Sequence, residues 1–366
     1  MNAPLRDTPA GQRTGVVDCD IHPAQVSAKD LYPFLERRWI EHIETYGPTV
    51  RQALSTQHMF PRTMAAGMRV DAYPKNGGPP GADLELMQRQ HLDPNGVEFG
   101  MLVALGRAGM EERNQDFAAA QSSAVNDWQI AAWVEPDPRL QAGIVLNAED
   151  PVAAVAEIEK RAKDPRFKQI IMSPRSAEPL GRRRYWPIYE AAQAAGLPIG
   201  FHPASVTGGS PSTGAGWPTF YMGEHYTFGT HLQEVVVSLV MEGVFERFPR
   251  LKVVCIESGF SWAVSLGWRM DKHFAQMRTE VPHLKRQPSE YMREHLYFTT
   301  QPIEEPPFAW YLNDVVDWIG WDHLMFSSDY PHWDFDDPRT ALRFRMTEPQ
   351  KQQILRGNAK ALYKLT

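Results

Sequence analysis

Val16-Val17-Asp18-Cys19-Asp20-Ile21-His22-Pro23 is an apolar run that ends in charged groups. It reads as a buried strand. Alternate side chains of a strand share a face, so Asp18, Asp20 and His22 are expected on one side of it. Two carboxylates and an imidazole on one face begin a site for a divalent ion such as Zn²⁺ or Mn²⁺, because carboxylate oxygen and neutral imidazole both donate well to such ions. Taken alone, the string is also compatible with an acidic turn beside a satisfied histidine.

Working outward, the chain becomes regular from Val97, where strand-length apolar runs alternate with segments of helical periodicity. The runs place strands at Val97–Leu105, Leu140–Leu146, Gln169–Met172, Pro198–His202, Lys252–Glu257, Leu296–Thr300 and His323–Ser328. With the opening strand these make eight. Helices are expected at Asn114–Trp133, at Pro151–Ala162 behind an Asp150 cap, and at Trp186–Ala195, ended by Gly196. Others are expected at His231–Arg247, Trp262–Arg278 and Pro307–Ile319, and at Glu348–Tyr363 behind a Thr347 cap.

Eight alternating units point to an α/β protein of the (β/α)₈ barrel type. A doubly wound open sheet lacks support, since no early strand runs into a G-x-G-x-x-G turn. One barrel can fill 366 residues, so 1–366 is read as a single domain. The stretch 27–94 breaks the alternation with turn signals such as Asn76-Gly77-Gly78-Pro79-Pro80-Gly81, and is read as an insertion after the first strand, a lid or an interface arm.

The 38 basic and 44 acidic residues give a net charge of −6, which offers no general attraction to nucleic acid or anionic lipid. A small-molecule substrate is the partner expected, with no nucleic acid and no membrane. Cys19 and Cys255 each fall inside an expected strand, as small core thiols of a reducing compartment rather than a disulfide framework. The polar start, Met1 to Gly15, has no apolar signal region, and no run approaches the roughly 18 apolar residues of a membrane span. The expected location is the cytoplasm.

Active sites of such barrels lie at the C-terminal ends of the strands. Strand one ends in Asp20 and His22, strand five in His202, strand six in Glu257 and strand eight in Asp329. Five ionisable groups at four strand ends carry more than any one of them, because each alone has a plainer reading. His202 fits a core histidine held by a backbone carbonyl, and Asp329 a turn cap. Glu257 is harder to set aside, since a buried carboxylate needs a metal, an Arg or a substrate to face.

These residues resemble the amidohydrolase superfamily, in the branch that holds aminocarboxymuconate-semialdehyde decarboxylase, related metal-dependent hydrolases and aromatic-acid decarboxylases. The resemblance runs from Val16 to about Leu365. Its carriers are Val17-Asp18-Cys19-Asp20-Ile21-His22, Gly200-Phe201-His202-Pro203, the phrase from Phe245 to Val254, Glu257-Ser258-Gly259 and Phe326-Ser327-Ser328-Asp329-Tyr330-Pro331-His332.

The resemblance implies one divalent ion held by Asp20, His22, His202 and Asp329, with Zn²⁺ the first expectation and Mn²⁺ the second. Asp20 stands where the family usually has the first histidine of H-x-H. The departure is similar to the E-x-H of some family decarboxylases, and the extra anionic ligand is more compatible with Mn²⁺. At strand six, where the family often has a catalytic histidine, the chain has Glu257, as a proton carrier, a further ligand or an orienter of a nearby His. His225 and His231, in the Gly-rich loop after strand five, are candidates to replace that histidine. Arg182, Arg183 and Arg184 read as a solvated turn or interface, while Arg51, Arg62 and Arg69 of the insertion are candidates to reach a substrate carboxylate, none singled out by its sequence setting.

The reaction the resemblance implies first is hydrolysis of a small cyclic or aromatic molecule by metal-activated water, with Asp329 taking a proton from that water. The alternative is non-oxidative decarboxylation of an aromatic or muconate-type acid. A barrel without catalysis is the third reading. A homodimer is expected, with Gly214–Pro218 and Trp310-Tyr311 as contact surfaces.

Overall fold

The computed structural model describes residues 15–48, 67–75, 77–203 and 220–366. Eight parallel strands follow one another in sequence order: β1 (Val16–Ile21), β2 (Val97–Leu102), β3 (Leu140–Val145), β4 (Phe167–Met172), β5 (Ile199–Phe201), β6 (Val253–Cys255), β7 (Leu296–Thr299) and β8 (Leu324–Met325). The last strand meets the first. Cys19 N–H donates to Phe326 O at 3.0 Å, His22 N–H to Tyr330 O at 2.8 Å, and Asp329 N–H to Asp20 O at 3.1 Å. Those bonds close the sheet into the barrel that the alternation implies.

The strands are short, apolar and almost wholly buried, as expected of strands covered by helices outside and by side chains within. Gly200 shows how tightly the wall is filled: a Cβ there would lie 2.7 Å from Ile256 Cδ1. Helix boundaries follow local chemistry. Asp150 Oδ1 accepts from Val152 N and Ala153 N, each at 3.1 Å, Gly196 turns left-handed (φ 65°) to end Trp186–Ala195, and Thr347 caps Glu348–Gln352.

Several boundaries differ from the sequence reading, for stated reasons. β5 stops at Phe201, β6 at Cys255 and β8 at Met325, so His202, Glu257 and Ser327 to Asp329 lie outside the ladder. The helix expected at His231–Arg247 begins at Phe228 and runs to Met241, and Gly243 (φ 76°) separates it from the short helix Val244–Arg247. Asn114–Trp133 is an α-helix over Gln115–Gln129 that widens into a π turn over Ile130–Val134.

One expectation about β1 is corrected. Asp18 pairs with Gly100 but Ile21 with Leu102, so three steps on β1 run against two on β2. This extra residue is a bulge, which breaks the period-two alternation, and Asp18 does not share the environment of Asp20 and His22. It is instead tied to His91 Nε2 (2.6 Å) and to Ser328 Oγ (2.5 Å).

Of the 27–94 stretch, the described parts include the 3₁₀ turn Ala28–Phe34 and the helix Arg37–Tyr46. Residues 67–69 run beside 331–333, with Trp333 N–H donating to Gly67 O (2.9 Å) and Arg69 N–H to Pro331 O (3.0 Å). That places the segment against the end of β8. Arg51, Arg62 and Gly214–Pro218 lie outside the described residues.

Candidate metal centre

His22 and His202 each use Nδ1 on a backbone carbonyl, Val103 O at 2.9 Å and Pro203 O at 2.8 Å. A carbonyl only accepts, so each Nδ1 carries a proton and each Nε2 is left to face the carboxylates, able to bind either a proton or a metal ion. Those Nε2 atoms point at carboxylates. His22 Nε2 is 3.2 Å from Asp20 Oδ1 and 2.8 Å from Asp329 Oδ1, and His202 Nε2 is 3.4 Å from Asp20 Oδ2 and 2.9 Å from Glu257 Oε2. Asp20, His202 and Asp329 are fully buried, and His22 and Glu257 nearly so.

Neutral Nε2 atoms facing anionic oxygens at these distances repel unless a proton or a metal ion lies between them. Asp20 Oδ1 and Oδ2, His22 Nε2 and His202 Nε2 are all buried without a hydrogen-bond partner. The donor set therefore fits a divalent ion: ligand atoms of Asp20, His22, His202 and Glu257 lie within 4.8 Å of one another, and His22, Asp329 and His332 form a second such group.

Electrostatics point the same way. Burial opposes the cationic form of His202, yet the Asp20 and Glu257 carboxylates outweigh it and lift the imidazole to about 9. Burial would raise Asp20 and Asp329, but the imidazoles beside each hold both carboxyls below their ordinary range. Glu257 goes the other way. Burial first, and the Asp329 charge second, push its carboxyl up. The backbone is strained at the same places: Glu257 (φ 49°) and Asp329 (φ 60°) sit in the left-handed region, at a cost on the order of 1–3 kcal/mol each.

The structure brings Asp20, His22, His202, Glu257 and Asp329 together, with Glu257 in one group with Asp20, His22 and His202, and Asp329 joined to it through His22 in the group that includes His332. His225 joins from outside, its Nε2 3.0 Å from Asp334 Oδ2. Gln301 Nε2 links that pair inward, donating to Asp334 Oδ2 at 2.8 Å and to Asp329 Oδ2 at 3.0 Å. His231 stands apart from both ligand groups, buried in the first turn of Phe228–Met241.

Arg69 is occupied by Asp71, with Nη2 at 2.8 Å from Oδ2. Arg182 and Arg184 make surface ion pairs with Glu178 and Glu149. His332 was missed from sequence although it lies three residues after Asp329, which it contacts through Nδ1. Gln301 was missed too, and its position just past the end of β7 was the available signal.

Residues 17–365 match the family model described as Amidohydrolase. Gamma-resorcylate decarboxylase of Polaromonas sp. is 25% identical over 295 residues, which cover 77% of this chain and 88% of the relative. Among solved structures, an amidohydrolase of Mycobacterium avium subsp. paratuberculosis superposes with a TM-score of 0.73 at 20% identity, covering 96% of this chain and all of that one. A dihydroxybenzoic acid decarboxylase of Polaromonas sp. with bound manganese and the inhibitor 2-nitroresorcinol superposes with a TM-score of 0.67 at 22% identity, covering 96% and 97%.

Proposed function

The chain belongs to the amidohydrolase family, and from that premise we propose that it is a metal-dependent decarboxylase, releasing CO₂ without oxidation from a hydroxylated aromatic acid. Glu257 carries this reading. Its carboxyl is buried, pushed up from its ordinary range by that burial and held at 2.9 Å from His202 Nε2, which places a group able to carry a proton at the centre, as protonation of a ring carbon requires. The decarboxylase relative supports this second sequence reading over hydrolysis.

Asp20, His22, His202 and Asp329 would hold the ion. Bound there, it would take the substrate's oxygens and draw off part of their negative charge. Mn²⁺ is proposed rather than Zn²⁺, on the strength of the two anionic carboxylates in the donor set and the manganese in the Polaromonas structure.

Val103 O and Pro203 O fix the ring orientation of His22 and His202, and Gln301 fixes Asp329. Glu257 gives its proton to the ring carbon. The bond to the carboxylate breaks, its electron pair returns to the ring to restore the arene, and CO₂ leaves. One proton returns to Glu257 from solvent, so the balance is one aryl carboxylate plus one proton to one arene plus CO₂.

A homodimer and a cytoplasmic location are proposed as well. The exposed rings of Phe308, Trp310 and Tyr311 support the first, and the two buried free thiols the second. Among the described residues no helix is long and apolar enough to cross a membrane.

Headspace CO₂ above the manganese-loaded protein with gamma-resorcylate and other hydroxybenzoates tests the reaction. Release lost on chelation and restored by Mn²⁺ is expected. No release from any of these acids, with hydrolysis of cyclic amides or lactones instead, would overturn it.

A further inference from the structure

Glu304 lies in the segment after β7, past Gln301, and takes no part in the centre described above. Its Oε1 accepts from Phe260 N–H at 3.1 Å and from Ser261 N–H at 2.9 Å. Those amides belong to the turn that begins at Glu257 and runs into the helix Trp262–Met277. The other oxygen, Oε2, is buried without a hydrogen-bond partner. Among the described residues no cation offsets the burial that pushes this carboxyl above its ordinary range. A carboxylate held in this way costs stability, and the bonds it makes to other residues go to one turn.

That turn needs restraint. Glu257 (φ 49°) and Gly259 (φ 64°) are both left-handed, and for a residue with a side chain such a conformation persists only where its surroundings enforce it. On one side Glu257 N–H donates to Thr299 Oγ1 at 3.2 Å. On the other, Trp262 Nε1 donates to Ser258 O at 3.0 Å and to Gly259 O at 3.1 Å. The Glu304 carboxylate closes on the turn so tightly that a Cβ at Gly259 would lie 2.7 Å from Oε1. Glycine at 259 thus gives both the left-handed backbone and the room for the carboxylate.

Glu257 is the first residue of the turn, so its carboxyl keeps its place 2.9 Å from His202 Nε2 only while the turn keeps its shape. We propose that Glu304 is a positioning residue for Glu257: by holding Phe260 and Ser261 it fixes the turn that aims the Glu257 carboxyl into the centre. This rests on the decarboxylase reading above. The segment after β7 then serves both sides of the site, Gln301 holding Asp329 and Glu304 holding the turn of Glu257.

The test is a double-mutant cycle on the manganese-loaded full chain, with CO₂ release from gamma-resorcylate as the rate, joined to crystal structures of the parent and of Glu304→Ala. Misplacing a reacting group by about 1 Å costs on the order of 10²-fold, so Glu304→Ala is expected to lower kcat by about that factor and to leave KM and metal content near those of the parent. Because Glu304 acts through Glu257, the same change made in Glu257→Gln should slow turnover no further. Glu304→Gln, whose amide oxygen still accepts both bonds, should recover most of the rate. Glu304→Asp, one methylene too short to reach both amides, goes through the same cycle, so a poorly folding Glu304→Ala leaves the proposal open to disproof. In the crystal, the Glu257 carboxyl of Glu304→Ala is expected to leave its place beside His202 while the metal ligands stay. A helix cap alone would lower Tm and leave kcat per metal-loaded protein unchanged. That result, an equal fold loss in the parent and Glu257→Gln backgrounds, or a Glu257 carboxyl unmoved in the crystal overturns the proposal. Failure of the reaction reading is distinct: the parent would release no CO₂ from any hydroxybenzoate, and the crystal structures would still report whether Glu257 moves.

Discussion

Glu257 Oε2 lies 2.9 Å from His202 Nε2, the two side chains brought together because Phe201 of β5 pairs with Cys255 of β6. A carboxyl that carries a proton and one that only ligates respond differently to an isosteric amide. Glu257→Gln is expected to keep the metal while turnover falls roughly 10²–10⁴-fold. Metal content and turnover measured beside His202→Ala check it. Equal metal loss in both variants would make Glu257 a ligand.

Metal retention should depend on pH with a definite sign. The carboxylates lift His22 well above its ordinary value and His202 to about 9, so protons compete for the same Nε2 atoms as the ion. Affinity for Mn²⁺ is therefore expected to rise steadily from pH 6 to pH 9. Equilibrium dialysis of the chelator-stripped protein measures it, and a flat profile would contradict the ligand roles of both histidines.

The barrel was legible in the sequence because its signal is repeated: apolar runs such as Val253-Val254-Cys255 recur between amphipathic segments, and an error at one boundary leaves the others standing. Asp20, His22, His202, Glu257 and Asp329 were legible for a related reason, each being an ionisable group directly after such a run. Asp18 was misplaced because a bulge leaves no mark in composition, and only the pairing of Ile21 with Leu102 reveals it. His332, Gln301 and Asp334 reach the centre through loop geometry, which periodicity does not encode.

Asp336 offers a test of stability beside the centre. Burial, and next to it the charges of Asp334 and Asp329, raise its carboxyl to about 7 despite a backbone bond from Ile303. The folded protein thus keeps a proton that the unfolded chain releases near about pH 4. Stability contributed by the group falls as pH rises from there to about 7, and the full penalty is present above that. Asp336→Asn should raise stability at pH 8 by on the order of 1–2 kcal/mol, or about 1–3 °C in Tm, with little change at pH 4. Thermal melts at both pH values check it, and a gain at pH 4 alone would reverse the sign.

The network around Asp18 makes a structural prediction. Asp18 is fully buried and held by His91 and by the backbone and hydroxyl of Ser328, one residue before Asp329. His91→Leu removes one of these donors from a buried carboxylate and is expected to cost roughly 3 kcal/mol, part of which Asp18→Asn should return in the double variant. Chemical denaturation of the single and double variants measures the coupling. A His91→Leu protein as stable as the parent would show that the contact holds nothing.

The most direct measurement of the reaction follows the carbon and the proton together. The manganese-loaded protein is incubated in D₂O with gamma-resorcylate and hydroxybenzenedicarboxylates labelled with ¹³C in the carboxyl groups, and the products are read by NMR. Expected are labelled CO₂ and one deuterium on the ring carbon that bore the lost carboxylate, both abolished by Glu257→Gln. Acids recovered with every carboxyl in place and no deuterium on the ring, from protein that retains its metal, would contradict a decarboxylase.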